Sequence, residues 1–453
     1  MPAAHQTFAE PADPSFAELI AARPHLSMHA MDGLVMEDAP LAAIAEAVGT
    51  PAWVYSAGAM RGRYAVLRDA LAGAGLNARI HYAVKANDHL AVLGLFGAEG
   101  AGADVVSEGE LLRALAAGIP PSRIVFSGVG KTGRELELAL GEGIAQINVE
   151  GSAELATLSA VAESGGRTAR VVLRVNPDVD AGTHPKIATG RARDKFGIPF
   201  GEAAALYARA AGLPGIAPVG IAMHIGSQIL SAAPYRAAFT RAAELVRALR
   251  SQGLPVHGID CGGGLGIGYR GEPALSAAAY AGVIRETLGG LGLPIIVEPG
   301  RWLVGPAGVL LASVVLVKAA GAARFVVLDA GMNDLVRPAM YDAWHGIVPL
   351  AAADAVQPLS PAEVAGPVCE SGDIFARDRG LPPLAPAAFV AILDTGAYGA
   401  VMSSTYNARP LAAQVLIEGA SWAVIRERQK LAALWAEENI PEFIGRTRTG
   451  ARL

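Results

Sequence analysis

A (β/α)8 barrel joined to a second, mainly antiparallel β-domain is the architecture this 453-residue chain predicts. Three observations carry it. Eight short, apolar, β-branched segments recur through the first two-thirds of the chain. The first five begin at residues 79, 102, 123, 146 and 170, a step of 21 to 24 residues that suits one strand-loop-helix-loop unit. Ala/Leu/Glu-rich stretches such as EGELLRALAAG and SAELATLSAVAESGG fill the intervals and end near a glycine, as helices do. After residue 305 the beat changes to β-rich segments, ASVVLVKAAG, ARFVVLDAG, FVAILDTGAYG and AAQVLIEG. A doubly wound open sheet fits the same strand pattern and remains the competing architecture.

In chain order, residues 1–25 read as a loosely ordered lead-in. The stretch LSMHAMDGLVMED offers an early strand to the β-domain, which would then be built from 26–48 and 306–453 around a barrel spanning 49–305. The barrel strands are RIHYAVKA (79–86), GADVVS (102–107), RIVFSG (123–128), QINVEG (146–151), RVVLRVNP (170–177), GIAMHIGS (220–227), HGIDCGGG (257–264) and IIVEPGR (295–301). The basic run RARDK (191–195) reads as a solvated loop. WAVIRERQKLAALWAEEN (422–439) is the one convincing helix of the last third.

Composition narrows the class of function. Hydrophobic residues make up 52% and charged residues 17%, too apolar for disorder and suited to buried parallel strands. The formal charge of −5 supplies no basic field for nucleic acid. Cys261 and Cys369, the only cysteines, lie far apart, so a disulfide framework is not expected and a reducing cytoplasm is. The run WLVGPAGVLLASVVLV (302–317) is shorter than a membrane span of ~20 residues and contains Gly-Pro, so its Val-rich half reads as a strand and no membrane partner is expected. The first residues, MPAAHQTFAEPADPSFAEL, have neither a basic start nor a continuous apolar core, so no secretory leader is expected.

In a barrel of this type the active site lies at the C-terminal ends of the strands. Polar residues collect there: Lys85, Ser107 with Glu108, Ser127, Glu150, Asn176, His224, the glycines after Cys261, and Glu298. In HYAVKAN, Lys85 stands where a strand runs out, the place for an amine held to form a Schiff base, which requires a lowered pKa. CGGGLGIGY (261–269) sets glycines where backbone N–H groups can approach an anion, or where a tight turn packs a helix on a strand. In VEPGR, Glu298 is a carboxylate able to hold a pyridinium protonated, followed by Gly300 and Arg301. His224 in HIGSQ is a candidate to stack on a flat cofactor. In GPVCESGD, Cys369 beside Glu370 is either an inert small hydrophobe or a proton donor. No cluster has zinc-ligand spacing, so no metal is expected.

HYAVKAN, HIGSQ, CGGGLG, VEPGR and CESGD, in this order, together with RVNPDVDAGTHPKIATG, DAGMNDLVRPAMYDAWH and DTGAYG, resemble the fold-type III pyridoxal-phosphate-dependent decarboxylases, and among them the family acting on diaminopimelate. The similarity runs from about Gly49 to Arg409. It implies decarboxylation of meso-2,6-diaminopimelate to L-lysine and CO2, with pyridoxal 5'-phosphate bound to Lys85. It further implies that His224 stacks on the cofactor ring and Glu298 faces its nitrogen. Ser227, Gly262, Gly263, Gly264, Gly300 and Arg301 would lie around the phosphate end, with Tyr398 reaching cofactor and substrate. Arg301, Arg337 and Tyr341 match positions for the distal carboxylate, Glu370 that for the distal amine, and Cys369 the proton donor. Cys369 and Glu370 would enter the partner's active site, so a homodimer is implied. Related decarboxylases of ornithine, arginine or carboxynorspermidine, a barrel-fold racemase and a non-catalytic cofactor carrier are the alternatives. Arg337 speaks against a substrate that presents a cation at its remote end.

Overall fold

A computed structural model describes residues 13–182, 190, 195–321 and 323–444. Residues 183–189, within the RVNPDVDAGTHPKIATG segment, and 191–194 of RARDK lie outside the described residues.

Eight parallel strands close on themselves. Ala78–Ala83, Gly102–Val105, Ile124–Phe126, Gln146–Val149, Ala169–Asn176, Ile216–Ala222, Gly258–Asp260 and Ile295–Val297 pair in that order, and the eighth returns to the first. The open-sheet alternative is thereby excluded. Each strand stops at or before the polar residue that ends its sequence segment, which frees those residues for the loops at one mouth of the barrel. Local chemistry fixes where the following helices begin. Ser107 Oγ accepts the N–H of Glu110 to cap Glu108–Ala116, and Thr132 with Glu135 forms a capping box on Gly133–Glu142, each satisfying donors the first helical turn leaves unpaired.

The second domain is a mainly antiparallel sheet organised on one long strand, Gly308–Ala320. That strand pairs antiparallel with Ala52–Ser56, Ala323–Leu328 and Phe389–Ile392. Ala52–Ser56 falls inside the stretch that spacing had assigned to the barrel, yet it lies between Gly308–Ala320 and Ala413–Glu418 in this sheet. All five of its residues are buried, and a five-residue run of AWVYS cannot by itself indicate which of two sheets it will join.

The early strands exist, but as a separate three-stranded sheet of Leu26–His29, Gly33–Met36 and Ala39–Pro40. Their Leu34 and Met36 pack with Val309, Leu311, Val348 and Val415 of the larger sheet. Gly33, at φ +68°, is required there: a Cβ would stand 2.1 Å from the carbonyl oxygen of Leu350, which accepts the Leu34 N–H at 2.7 Å.

Three other expectations change or sharpen. The end of the lead-in is ordered, with helix Phe16–Ala21 held by a Ser15/Glu18 capping box and followed by a buried Arg23. WAVIRERQKLAALWAEEN is not a helix. Ser421–Arg426 is a strand antiparallel to Ala413–Glu418, and within that run only a short 3-10 turn, Leu431–Leu434, follows. The vacant sheet edge at Ala413–Glu418 supplies a hydrogen-bond ladder that local helix propensity cannot match. The 302–317 run becomes a helical turn, Arg301–Val304, and then the long strand, as its Val-rich half predicts. Among the described residues no helix is long and apolar enough to cross a membrane.

Candidate active site

Lys85 sits in the 3-10 turn Val84–Ala86 that follows the first barrel strand. On the adjacent strand Asp104 pairs with Ala83 in the backbone ladder, and its side chain is fully buried. Lys85 Nζ donates to Asp104 Oδ2 at 2.5 Å. The lysine pKa was expected to fall, and here the structure differs. Burial pulls it down, but the hydrogen-bonded Asp104 carboxylate leads the groups that outweigh burial, so the ammonium is held above the usual lysine range. A carboxylate within a hydrogen bond favours the charged amine.

Two more acids stand at neighbouring strand ends. Asp260, which ends the seventh strand, accepts the Gly262 N–H at 2.9 Å and Asn148 Nδ2 at 3.1 Å. Glu298, just past the eighth strand, lies close enough to Asp260 for each carboxyl to shift the other. Burial, with Asp104 and Asp260 nearby, drives the Glu298 pKa far above the carboxylate range. Burial raises Asp260 to about 6. Glu298 Oε1 and Asp104 Oδ1 are buried without a hydrogen-bond partner.

His224 follows the sixth strand, and its Nδ1 accepts the Gly263 N–H at 3.1 Å. Burial, then the charges of Arg174 and Lys85, hold its pKa well below the imidazole range. The ring is neutral, with its proton on Nε2. Arg174 is itself tied to Glu150 Oε1 at 2.7 Å.

Barrel loops and the second domain together supply the rest of the wall. Arg301 donates to the Tyr269 hydroxyl at 2.8 Å and to Ser227 Oγ at 3.1 Å, and lies over the Tyr398 ring. Arg337 lies over the Tyr269 ring and donates to His345 Nε2 at 2.9 Å. His345 Nδ1–H in turn donates to the Leu393 carbonyl at 2.8 Å, which fixes the tautomer that can accept from Arg337. Tyr398 adopts φ +55°, a strained backbone for an aromatic residue, and its N–H donates to the Ala86 carbonyl at 2.8 Å. The loop of one domain is thus bonded directly to the lysine turn of the other.

These groups enclose a cavity of about 750 Å3. Lys85, His224, Ser227, Glu298, Arg301, Arg337, Tyr341 and Tyr398 all line it. Gly262, Gly263, Gly264 and Gly300 are not among the lining residues. A Cβ on Gly262 would stand 2.3 Å from the Met223 carbonyl oxygen, and one on Gly263 2.1 Å from that of Glu298. The N–H groups of these two glycines are taken by Asp260 and His224. Close packing at the strand ends requires glycine at both positions. Cys369 and Glu370 are exposed and stand apart from the cavity lining. The Cys369 N–H donates to Asn407 Oδ1, and Glu370 accepts from the Tyr406 hydroxyl.

Sequence reasoning gave no role to Asp104, Asp260, Tyr269 or His345. A buried acid inside an apolar strand was the available signal for Asp104 and Asp260. Tyr269 ends the glycine-rich segment, and His345 closes the DAGMNDLVRPAMYDAWH segment, so membership of those two segments was the available signal for both.

The donor set fits pyridoxal phosphate. A buried carboxyl with an orphaned oxygen suits a pyridine nitrogen, an amine faces the same cavity, and a neutral imidazole offers a flat face. Residues 58–305 match the pyridoxal binding domain of the pyridoxal-dependent decarboxylases. Diaminopimelate decarboxylase of Zymomonas mobilis is 48% identical, over 91% of this chain and 98% of that protein. The enzyme of the same name from Pseudomonas aeruginosa is 45% identical, over 90% and 97%. A crystal structure of diaminopimelate decarboxylase from Helicobacter pylori complexed with L-lysine superposes with a TM-score of 0.85 at 40% identity, covering 88% of this chain and 99% of that one. The chain belongs to the diaminopimelate decarboxylase family of pyridoxal-dependent decarboxylases.

Proposed function

We propose that this protein decarboxylates meso-2,6-diaminopimelate to L-lysine and CO2, with pyridoxal phosphate held in the cavity around Lys85. The observation that carries the reading is the pair of buried guanidiniums, Arg301 and Arg337, lining the same cavity as Lys85 and Glu298. Diaminopimelate brings a second carboxylate that a guanidinium can pair with, whereas ornithine and arginine would bring a cation.

When bound, the cofactor supplies a conjugated electron sink for the bond to the departing carboxylate. The chain's own groups do the remainder. Lys85 must lose its proton before its amine can bond to carbon, and Asp104 Oδ2 is the adjacent acceptor. Glu298, kept protonated by burial and by its acidic neighbours, holds a proton for the ring nitrogen. His224 presents an uncharged face, so it adds no cation beside Lys85. Ser227 with Gly264 and Gly300, the two glycines whose amides are not engaged by Asp260 or His224, are assigned to the phosphate end. Tyr398 and Tyr341 border both cofactor and substrate, and Arg301 and Arg337 take the distal carboxylate.

Cys369 and Glu370 act in the cavity of a second copy, Cys369 returning a proton to the substrate Cα and Glu370 holding the distal amine. Their exposure in one protomer supports this, and the working form is a cytoplasmic homodimer.

The test is CO2 release from meso-diaminopimelate, ornithine and arginine measured side by side, with Lys85→Ala as control. Release from diaminopimelate alone, lost in the variant, is expected. Release mainly from ornithine or arginine overturns the assignment of Arg337, and no release from any of the three favours a racemase or a carrier.

A further inference from the structure

Arg23 lies outside the barrel and outside the residues matched to the pyridoxal binding domain, yet it is 3% exposed, against 7% for Arg301 and 6% for Arg337. Its Nε donates to Asp394 Oδ1 at 2.9 Å and its Nη2 to Asp394 Oδ2. Nη2 also donates to the Tyr269 carbonyl at 3.2 Å, and Nη1 to that of Leu19. One buried guanidinium thus clasps a barrel loop and a loop of the second domain.

Both attachment points lead to the cavity arginines. The Tyr269 hydroxyl accepts from Arg301, and its ring lies under Arg337. Asp394 adjoins Leu393, whose carbonyl orients His345 toward Arg337, and it precedes Tyr398 by four residues. The 2%-exposed Asp394 carboxylate also acts electrostatically on Arg63 and Arg337. Arg63 is occupied, donating to the Trp302 carbonyl and covering its ring. If Arg23 were lost, a buried carboxylate would need a new partner, and Arg337 is the remaining candidate.

We propose that Arg23 is a positioning residue for recognition of the substrate's distal carboxylate: by engaging Asp394 and the Tyr269 carbonyl, it leaves Arg337 and Arg301 directed at the cavity. The inference rests on the reading that those two arginines take that carboxylate.

The experiment compares full-length holoenzymes carrying Arg23→Ala, Arg23→Lys, Arg23→Ala with Asp394→Asn, and Arg337→Gln. KM and kcat for meso-diaminopimelate are measured with the inhibition constant of 1,5-diaminopentane, which lacks the distal carboxylate that the product L-lysine retains. Arg23→Ala is expected to raise KM about tenfold, the loss of one charge-assisted hydrogen bond. It should change kcat by less than about twofold and leave inhibition by 1,5-diaminopentane unchanged. Arg23→Lys should recover part of the KM. The double variant, which removes the orphaned charge and so remains informative if Arg23→Ala does not fold, should also move KM back toward wild type. Equal losses toward both ligands, or a lower melting temperature with unchanged KM, assign Arg23 to fold support alone and overturn the inference. A raised KM in Arg337→Gln with wild-type KM in every Arg23 variant overturns it too, while leaving the reading of Arg337 intact. An unchanged KM in Arg337→Gln overturns that reading itself.

Discussion

The Lys85 ammonium is hydrogen-bonded to Asp104 at 2.5 Å, one barrel strand away, and Asp104 presents its second oxygen unpartnered in the interior. The structure therefore holds its nucleophile in the protonated, resting form. Replacing Asp104 with Asn removes the charge that most favours the ammonium. The pH midpoint for loading pyridoxal phosphate onto Lys85 should then move to lower pH. Borohydride trapping across a pH series, read by mass spectrometry, checks this, and an unmoved midpoint would show that Asp104 does not set the lysine's charge.

Arg337 is buried, lies over Tyr269 and is oriented by a neutral His345. Arg337→Lys keeps the charge but loses the planar fork, so it should raise KM for diaminopimelate by about tenfold or more. His345→Phe, which removes only the acceptor that orients it, should give a smaller rise in the same direction. Steady-state kinetics on the two variants separates charge from orientation.

Cys369 is exposed and does not line the cavity of its own chain. Lys85→Ala and Cys369→Ala are each expected to be nearly inactive. If each site draws Lys85 from one copy and Cys369 from the other, an equimolar mixture refolded together should regain about a quarter of wild-type activity, because half the dimers are mixed and each has one intact site. No recovery, with mixed dimers demonstrated by native mass spectrometry, would place both residues in one protomer's site.

His25 and His81 are both held neutral, burial lowering each pKa from 6.5 to about 4. Their folded-state values lie below the unfolded one, so the unfolded chain binds more protons between pH 6.5 and about 4. Stability is thus fully present above that window and falls as the pH drops through it. For His81, 3% exposed, the loss is on the order of 3 kcal/mol. His81→Gln should flatten the acid limb of melting temperature against pH. An unchanged slope would mean that His81 does not titrate on unfolding.

Much of this protein could be read directly from the chain. The repeated strand segments locate all eight barrel strands, because a buried parallel strand is mostly apolar and most of its polar residues fall at its ends. The same rule placed Lys85, His224 and Glu298 at one mouth, since closing the barrel brings residues more than 200 positions apart to neighbouring strands. What tertiary structure decided lies between elements. Ser421–Arg426 became a strand because an unpaired sheet edge awaited it, and Ala52–Ser56 joined the second sheet because both its neighbours lie there. The charge state of Lys85, the buried clasp from Arg23 to Asp394, and the approach of Arg337 to His345 depend on distances of a few ångströms across different segments. Electrostatic interactions of buried groups depend on separation and on exclusion of water. Neither is a property of residues taken in order along the chain, so motif and spacing identified the reacting groups while the fold determined their protonation and aim.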